Sequence, residues 1–332
     1  MKRYNTLDGL RTVACIGIIF MHILTNINHN FNKAFSTLIN EANNFVFLFM
    51  VISSFSMCCG YYNKIKNNEI DLEKFYKKRI NKIFPIFAFL IFIDLLKEQT
   101  LISLYESVSN LTLMFGFLDK KIEVLGVAWF LGIIFIFYFI FPFFVFLFSN
   151  KKRAWIVTFI SLLMNILSII YFNVGKTNFY YSFVYFCIGG LIYLYKDSII
   201  AFFKNKKILN IIILIFATIF FLIINTKGIL LSLKNILFCS ILVIYAISNN
   251  SIILENKITS FIGGISLEMY LSHMVFFRIL EKTNLLNMIA LNYITYFVIS
   301  FVVIGASILF AILFQKSQKL IIEKTVKKRN KV

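Results

Sequence analysis

The sequence predicts an all-α polytopic membrane protein, a helix bundle with about ten transmembrane helices and both termini in the cytoplasm. Three observations lead to this prediction. Of the 332 residues, 60% are hydrophobic and the mean hydropathy is +0.83, whereas soluble domains are roughly 45–50% apolar. The apolar residues form long runs, and the basic residues between the runs are distributed unevenly over alternate segments.

Ten stretches are apolar enough to cross a bilayer, which requires roughly 20 helical residues. They lie near 7–27, 43–62, 82–97, 126–148, 154–172, 179–195, 208–225, 229–248, 261–281 and 292–314. The third stretch is short, and the mixed region 100–125 is a candidate for an extra interfacial or re-entrant piece. We therefore place one transmembrane domain over 1–314 and a basic cytoplasmic tail over 315–332.

The charge balance supports this topology. The formal net charge is +19, from 34 Lys and Arg against 15 Asp and Glu. Ten spans place 24 basic residues on one side of the membrane and 8 on the other, which is the bias expected for a multi-pass protein of the cytoplasmic membrane. The expected partners of this charge are membrane lipids with anionic headgroups rather than nucleic acid.

The cysteines indicate neither a disulfide framework nor a metal site. All five lie in apolar runs without metal-ligand spacing: Cys15, Cys58, Cys59, Cys187 and Cys239. We expect no metal. The first apolar run lacks a small-residue cleavage pattern and should remain as a span.

Two polar residues in the first span share a helix face. Arg11 and His22 are eleven residues apart, which is three turns plus about 20° of rotation and about 16 Å of axial rise. Titratable groups in a span usually face the bundle interior. The pair therefore indicates either a catalytic histidine beyond an arginine-lined entrance, or a snorkelling arginine and a structural histidine. Asp8 is expected to hold Arg11, and His29 is expected to be a solvated loop residue.

A second polar stripe lies in the ninth span. Ser266, Tyr270 and His273 occur at i, i+4 and i+7 and share one face. They are candidates either for substrate contacts or for hydrogen bonds between helices. Glu268 points to a different face and is a candidate to pair with Lys234 or another buried cation, but Lys234 is close enough to the outer boundary that snorkelling to the interface is the favoured interpretation.

Several motifs together resemble acyltransferase family 3, whose members are multi-span enzymes that O-acylate cell-surface glycans. The segment Tyr4 to Arg11, followed by ten residues and His22, resembles the family's first helix. Later matches, in the family's order, are Phe49–Phe55, Phe75–Pro85, Trp129 with Leu131, Tyr138 and Pro142, Phe186 with Gly189 and Gly190, and Ser266 with Tyr270, Leu271 and His273. Ile134 and Phe135 stand where fused members often carry two glutamates, and the chain resembles the stand-alone subgroup without an extracellular esterase-like domain.

The resemblance implies O-acetyl transfer from acetyl-CoA, or another short acyl-CoA, to a polysaccharide or glycolipid hydroxyl. His22 would be the general base, with Arg11 as its catalytic partner. The implied donor-binding residues are Arg79, Lys78, Lys82 and Arg11. The implied acceptor-binding residues are Tyr270, His273, Ser266 and Trp129. Lysines replace two of the family's arginines, at positions 78 and 82, which weakens bidentate phosphate recognition there.

Two other functions are considered. A transporter or flippase for a lipid-linked saccharide predicts inverted repeats or paired broken helices, and the sequence shows neither. A structural partner of polysaccharide synthesis predicts no catalytic role for His22. A second copy of the chain and the polysaccharide-synthesis machinery are the candidate protein partners.

Overall fold

The computed structural model describes residues 4–27, 31–98, 100–113, 115, 126–283 and 292–329, and within these ranges it contains helices and no strand. The predicted all-α class is confirmed. The helices of the described ranges are α1 Thr6–Asn26, α2 Lys33–Asn40, α3 Phe45–Lys66, α4 Leu72–Glu98, α5 Leu101–Leu111, α6 Trp129–Leu147, α7 Lys151–Ile170, α8 Phe179–Phe203, α9 Lys207–Ile223, α10 Gly228–Ser248, α11 Lys257–Gly264, α12 Ser266–Lys282 and α13 Tyr293–Arg329, with a 3-10 turn over Glu41–Asn44.

Every predicted span coincides with helix, but fewer than ten helices meet the requirements of a span. Within the described ranges, seven are long and apolar enough to cross a membrane, or eight if α11 and α12 form one span. Helix α9 fails because it has only 17 residues. Helix α4 fails because charged residues interrupt its apolar run. The short α5 lies in the region where an extra piece is predicted.

The predicted span 261–281 is two helices rather than one. Helices α11 and α12 meet at an angle of 70°. The Ser266 hydroxyl donates a hydrogen bond to the Gly263 carbonyl oxygen at 2.9 Å, which satisfies a carbonyl at the end of α11. The break turns the first residues of α12 toward α1, which carries Arg11.

Helix α1 crosses α11 at backbone contact. A Cβ atom at Gly9 would overlap the Leu254 carbonyl group, and one at Gly263 would overlap the Asp8 carbonyl group. The Thr12 hydroxyl also donates to the Thr259 carbonyl oxygen at 2.8 Å. Small residues permit this approach, as is usual where membrane helices pack closely.

The last helix extends through the boundary predicted at 314 and 315. Gln315 donates to a Glu268 carboxylate oxygen at 2.7 Å, and Gln318 donates to the Asn81 carbonyl oxygen at 2.8 Å. The beginning of the predicted tail is therefore a continuation of α13 that packs on the bundle.

The expected snorkelling of Lys234 is wrong, and the carboxylate that it pairs with is Glu41 rather than Glu268. The ammonium of Lys234 lies 3.2 Å from the Glu41 carboxylate, and the Lys234 side chain is only 2% exposed. It also donates to the Phe221 and Ile224 carbonyl oxygens, at 3.1 and 3.0 Å. These carbonyl groups lie at the C-terminal end of α9. Lys234 therefore joins α9 to the 3-10 turn, and its charge balances the negative end of the α9 helix dipole.

The close crossing of α1 and α11 predicts different effects for two neighbouring glycines. Gly263→Ala should lower the free energy of unfolding by about 1–3 kcal/mol, because the new methyl group must displace backbone. Gly264→Ala is the matched control, since a Cβ atom there meets nothing within 4 Å. Thermal unfolding of both variants in the same detergent measures the difference. Equal melting temperatures would contradict the described crossing.

Candidate functional site

A basic cavity of about 660 Å³ opens at the end of the bundle where Arg11 lies. Its volume is within the range of small-molecule binding sites, roughly 300–1,000 Å³. Its lining contains five basic side chains and one carboxylate: Arg11, Lys64, Lys78, Arg79, Lys82 and Asp8. The excess of positive charge suits a ligand with several negative charges.

Arg11 is held at two points. Its guanidinium donates to the Asp8 carboxylate at 2.6 Å and to the Ser56 hydroxyl at 2.9 Å. The predicted role of Asp8 as the residue that holds Arg11 thus agrees with the geometry. Asp8 is at the first turn of α1, where a carboxylate is also favoured by the helix dipole.

Arg79 is held by aromatic rings rather than by a carboxylate. The centre of its guanidinium lies 4.8 Å from the Tyr61 ring centroid, 5.4 Å from that of Tyr138 and 5.6 Å from that of Phe75. Cation–π contacts of this kind orient the group without neutralising it. The positive charge of Arg79 therefore remains available to an anionic ligand in the cavity.

Three aromatic rings that lie against one another line the cavity. Phe130 lies 5.9 Å from Phe49 and 5.5 Å from Tyr270 by ring centroids, and all three line the cavity. The Tyr270 hydroxyl donates to the Val127 carbonyl oxygen at 2.8 Å. We call Phe49, Phe130 and Tyr270 the aromatic floor.

Two histidines lie outside the cavity lining, next to the floor. The His273 ring centroid is 6.0 Å from that of Tyr270 and 5.3 Å from that of His22. His273 is fully buried, and its Nδ1 lies 2.6 Å from the Tyr270 carbonyl oxygen. Since a carbonyl only accepts, Nδ1 carries the proton and Nε2 has the lone pair. That Nε2 has no hydrogen-bond partner within the described residues.

A lysine and a tryptophan lie together next to Phe130 of the aromatic floor. The Lys176 ammonium lies 5.4 Å from the Trp129 ring centroid, donates to the Asn43 side-chain oxygen and interacts electrostatically with His22. Trp129, predicted to bind acceptor, is thus not in the basic cavity. It begins α6, beside the segment that joins α7 to α8.

The structure divides the predicted site residues into two groups. The cavity brings together Arg11, Lys78, Arg79, Lys82, Ser266 and Tyr270. His22, His273 and Trp129 do not line the cavity, and His29 lies outside the described residues. The Ser266 hydroxyl is engaged with the Gly263 carbonyl at the helix break.

Four residues at the cavity or next to Trp129 were not predicted as site residues. Lys64 lines the cavity, and Tyr61 and Tyr138 hold Arg79. Tyr138 belongs to one of the motifs that carry the family resemblance, so the sequence contained a signal for it. Lys176 is remote in sequence from every motif, and only the tertiary structure shows its contact with Trp129.

A comparison with known protein families identifies the family of this chain. The acyltransferase domain of acyltransferase family 3 matches residues 4–315, which is most of the chain. Comparisons with curated proteins and with solved structures return no match. The match covers both the basic cavity and the histidine pair, together with the apolar helices that form a membrane protein. The chain belongs to acyltransferase family 3 and is a membrane acyltransferase.

Proposed function

We propose that this protein transfers an acyl group, most simply acetyl, from acyl-CoA to a hydroxyl of a cell-surface polysaccharide or glycolipid in the cytoplasmic membrane. One observation carries the proposal. The basic cavity and the histidine pair, His22 and His273, are linked through Tyr270, whose ring lines the cavity and lies 6.0 Å from the His273 ring by centroids. This arrangement separates binding of a polyanionic donor from the proton transfer that acyl transfer requires.

The donor's phosphates would bind the basic lining of the cavity. Coenzyme A carries a diphosphate and a further phosphate, and five cations face one carboxylate there. Asp8 neutralises part of the charge of Arg11. Arg79, with rings rather than carboxylates around it, is therefore the strongest candidate for a direct phosphate contact.

The thioester would pass the aromatic floor to reach His22. The pantetheine arm of coenzyme A is a narrow, mostly uncharged chain, so it suits a passage lined by Phe49, Phe130 and Tyr270. Tyr270 is tied to Val127. We therefore assign the movement that opens the floor to the two phenylalanines, which have no polar anchor.

His22 would act as the general base. Its imidazole takes the proton of the acceptor hydroxyl as the hydroxyl oxygen attacks the thioester carbon. The C–S bond then breaks, and the imidazolium returns the proton to the departing CoA thiolate. His273, fixed as the Nδ1–H tautomer, offers Nε2 as a hydrogen-bond acceptor that would orient the neighbouring His22 ring.

Loss of the base should stop transfer. His22→Ala is expected to lower the turnover number by at least about 10²-fold, which is the usual scale of general-base catalysis. Thr25→Ala, one turn further along α1 with its hydroxyl bonded only to its own helix, is the control and should remain active. The measurement is acetyl transfer from labelled acetyl-CoA into membrane glycans. Full activity of a folded His22→Ala protein would contradict the proposed base.

Donor binding should depend on Arg79 through the phosphates. Arg79→Ala is expected to weaken CoA binding by about tenfold or more and to leave weak pantetheine binding unchanged, because pantetheine lacks the phosphates. Added salt should weaken binding of CoA to the wild-type protein. Titration calorimetry of the purified protein measures both ligands.

Lys77→Ala provides the matched control for Arg79→Ala. Lys77 is on the same helix and is exposed, but it does not line the cavity. It should bind CoA as the wild type does. Equal weakening in the two variants would show a diffuse attraction by the basic surface and would contradict a specific phosphate contact.

A further inference from the structure

A second cavity, of about 670 Å³, opens at the same end of the bundle as the basic cavity. The last turns of α3 contribute to both: Tyr61 and Lys64 line the basic cavity, whereas Tyr62, Asn63 and Lys66 line the second. The residues around the start of α7 and the second half of α8 supply the other walls. Among the described residues, none lines both cavities, and the reaction proposed above makes no use of the second one.

The second cavity concentrates positive charge. Its lining contains four lysines from three helices, Lys66, Lys151, Lys152 and Lys196, and no carboxylate among the described residues. Asp197 lies 3.3 Å from the Lys196 ammonium but is exposed, so this ion pair offsets little of the charge. Lysines that only orient a membrane protein do not have to converge on one cavity. Like charges placed together repel each other, and an anion between them removes the repulsion.

Aromatic rings hold two of these lysines in place. The Lys151 ammonium lies 4.4 Å from the Tyr195 ring centroid, and the Lys196 ammonium lies 4.4 Å from that of Tyr193. The Tyr193 ring is held in turn against the Tyr62 ring, at 5.1 Å between centroids. Contacts of this kind orient a cation without neutralising it. The charges therefore remain available to a ligand in the second cavity.

The second cavity lies at the level where the membrane meets water. Helix α7, a candidate membrane span, begins at the cavity with Lys151. One turn later it carries Trp155, which is 56% exposed and donates its indole N–H to the Tyr195 hydroxyl at 3.1 Å. Trp and Tyr are enriched at membrane–water interfaces. Beyond Trp155, α7 exposes apolar residues, beginning with Ile156. The lysines thus lie on the water side of the aromatic residues, where the phosphates of lipids lie.

One face of α7 continues from the second cavity into the apolar zone. Lys152, Trp155, Ile156 and Phe159 are at i, i+3, i+4 and i+7, so they share a face, and all four are exposed. A ligand whose charged end binds at Lys152 can therefore lay an apolar part against the same helix. A phospholipid has both parts, whereas a free phosphate ion makes no use of the apolar face.

We propose that the second cavity binds the headgroup phosphate of an anionic phospholipid, whose acyl chains lie along the exposed face of α7. The phosphate oxygens accept hydrogen bonds from the lysine ammonium groups. The positive end of the α7 dipole, at Lys151, favours the same anion. Basic pockets between membrane helices are a general means of binding lipid headgroups. No covalent bond forms or breaks, and the site is independent of the acyl transfer proposed above.

The test measures lipid binding to the full-length protein, purified and delipidated in detergent. The probes are dioleoylphosphatidylglycerol, the zwitterionic dioleoylphosphatidylcholine, and glycerol 3-phosphate as a phosphate without acyl chains. Native mass spectrometry counts the bound molecules, and we expect the wild type to retain phosphatidylglycerol in preference to the other two. Lys151→Gln combined with Lys196→Gln should weaken phosphatidylglycerol binding by about tenfold or more. Lys152→Glu should weaken it as well, because its carboxylate repels the phosphate.

Lys204→Gln combined with Lys207→Gln is the matched control. It removes the same charge from two exposed lysines at the junction of α8 and α9, which line neither cavity. It should bind phosphatidylglycerol as the wild type does. Lys151→Arg combined with Lys196→Arg keeps the charge and should also bind normally. If thermal unfolding shows that the double glutamine variant at the cavity is misfolded, the exposed Lys152→Glu decides.

Three results would overturn the proposed lipid site. Equal weakening in the two double glutamine variants would show a diffuse attraction by the basic surface. Glycerol 3-phosphate that binds as well as the lipid would show a site for a soluble phosphate. Coenzyme A that displaces the lipid would show that the second cavity belongs to the donor site.

Discussion

The contact between the backbones of α1 and α11 determines how the polar groups of α1 and α12 meet. Gly263 allows α11 to meet the α1 backbone at Asp8, and Gly9 allows the loop before α11 to approach α1 at Leu254. The bend after α11 then directs α12 along α1. Tyr270 consequently reaches the cavity of Arg11, and His273 lies beside His22. A wider crossing would separate both pairs at once, because each pair has one member on α1 and one on α12.

A second set of contacts joins the 3-10 turn to α9 and to the segment between α7 and α8. Lys234 binds the last carbonyls of α9 and the carboxylate of Glu41. Two residues after Glu41, Asn43 accepts a hydrogen bond from Lys176. A buried ion pair thus fixes the turn that holds Lys176. Removing one partner of such a pair leaves an isolated buried charge, which is strongly destabilising.

Local sequence patterns were enough to predict the helices and many of the residues that line the basic cavity. Apolar runs predicted a helix at each span, and the i, i+4, i+7 stripe placed Ser266 and Tyr270 on one cavity wall. The bend at 265 was missed because Gly263 and Gly264 also fit a continuous membrane helix. The pairing of Lys234 with Glu41 was missed because side-chain partners depend on contacts that span much of the chain. Lys234 and Glu41 are 193 positions apart, and no spacing rule connects them.

The aromatic floor bears on a problem that the proposed acyl-CoA donor would create. A thioester next to a general base is hydrolysed if water reaches it, so water must be excluded until the acceptor arrives. Phe49 and Phe130 are apolar and buried, and Tyr270 uses its hydroxyl on Val127. A floor of this composition offers water few hydrogen bonds, yet it can close around an uncharged pantetheine arm. Arg11 and His22 are about 16 Å apart along α1, so the phosphates and the thioester would be held apart by that distance. We therefore infer that the separation of cations from base, which first marks α1 as unusual, serves to admit the donor arm while keeping the base dry.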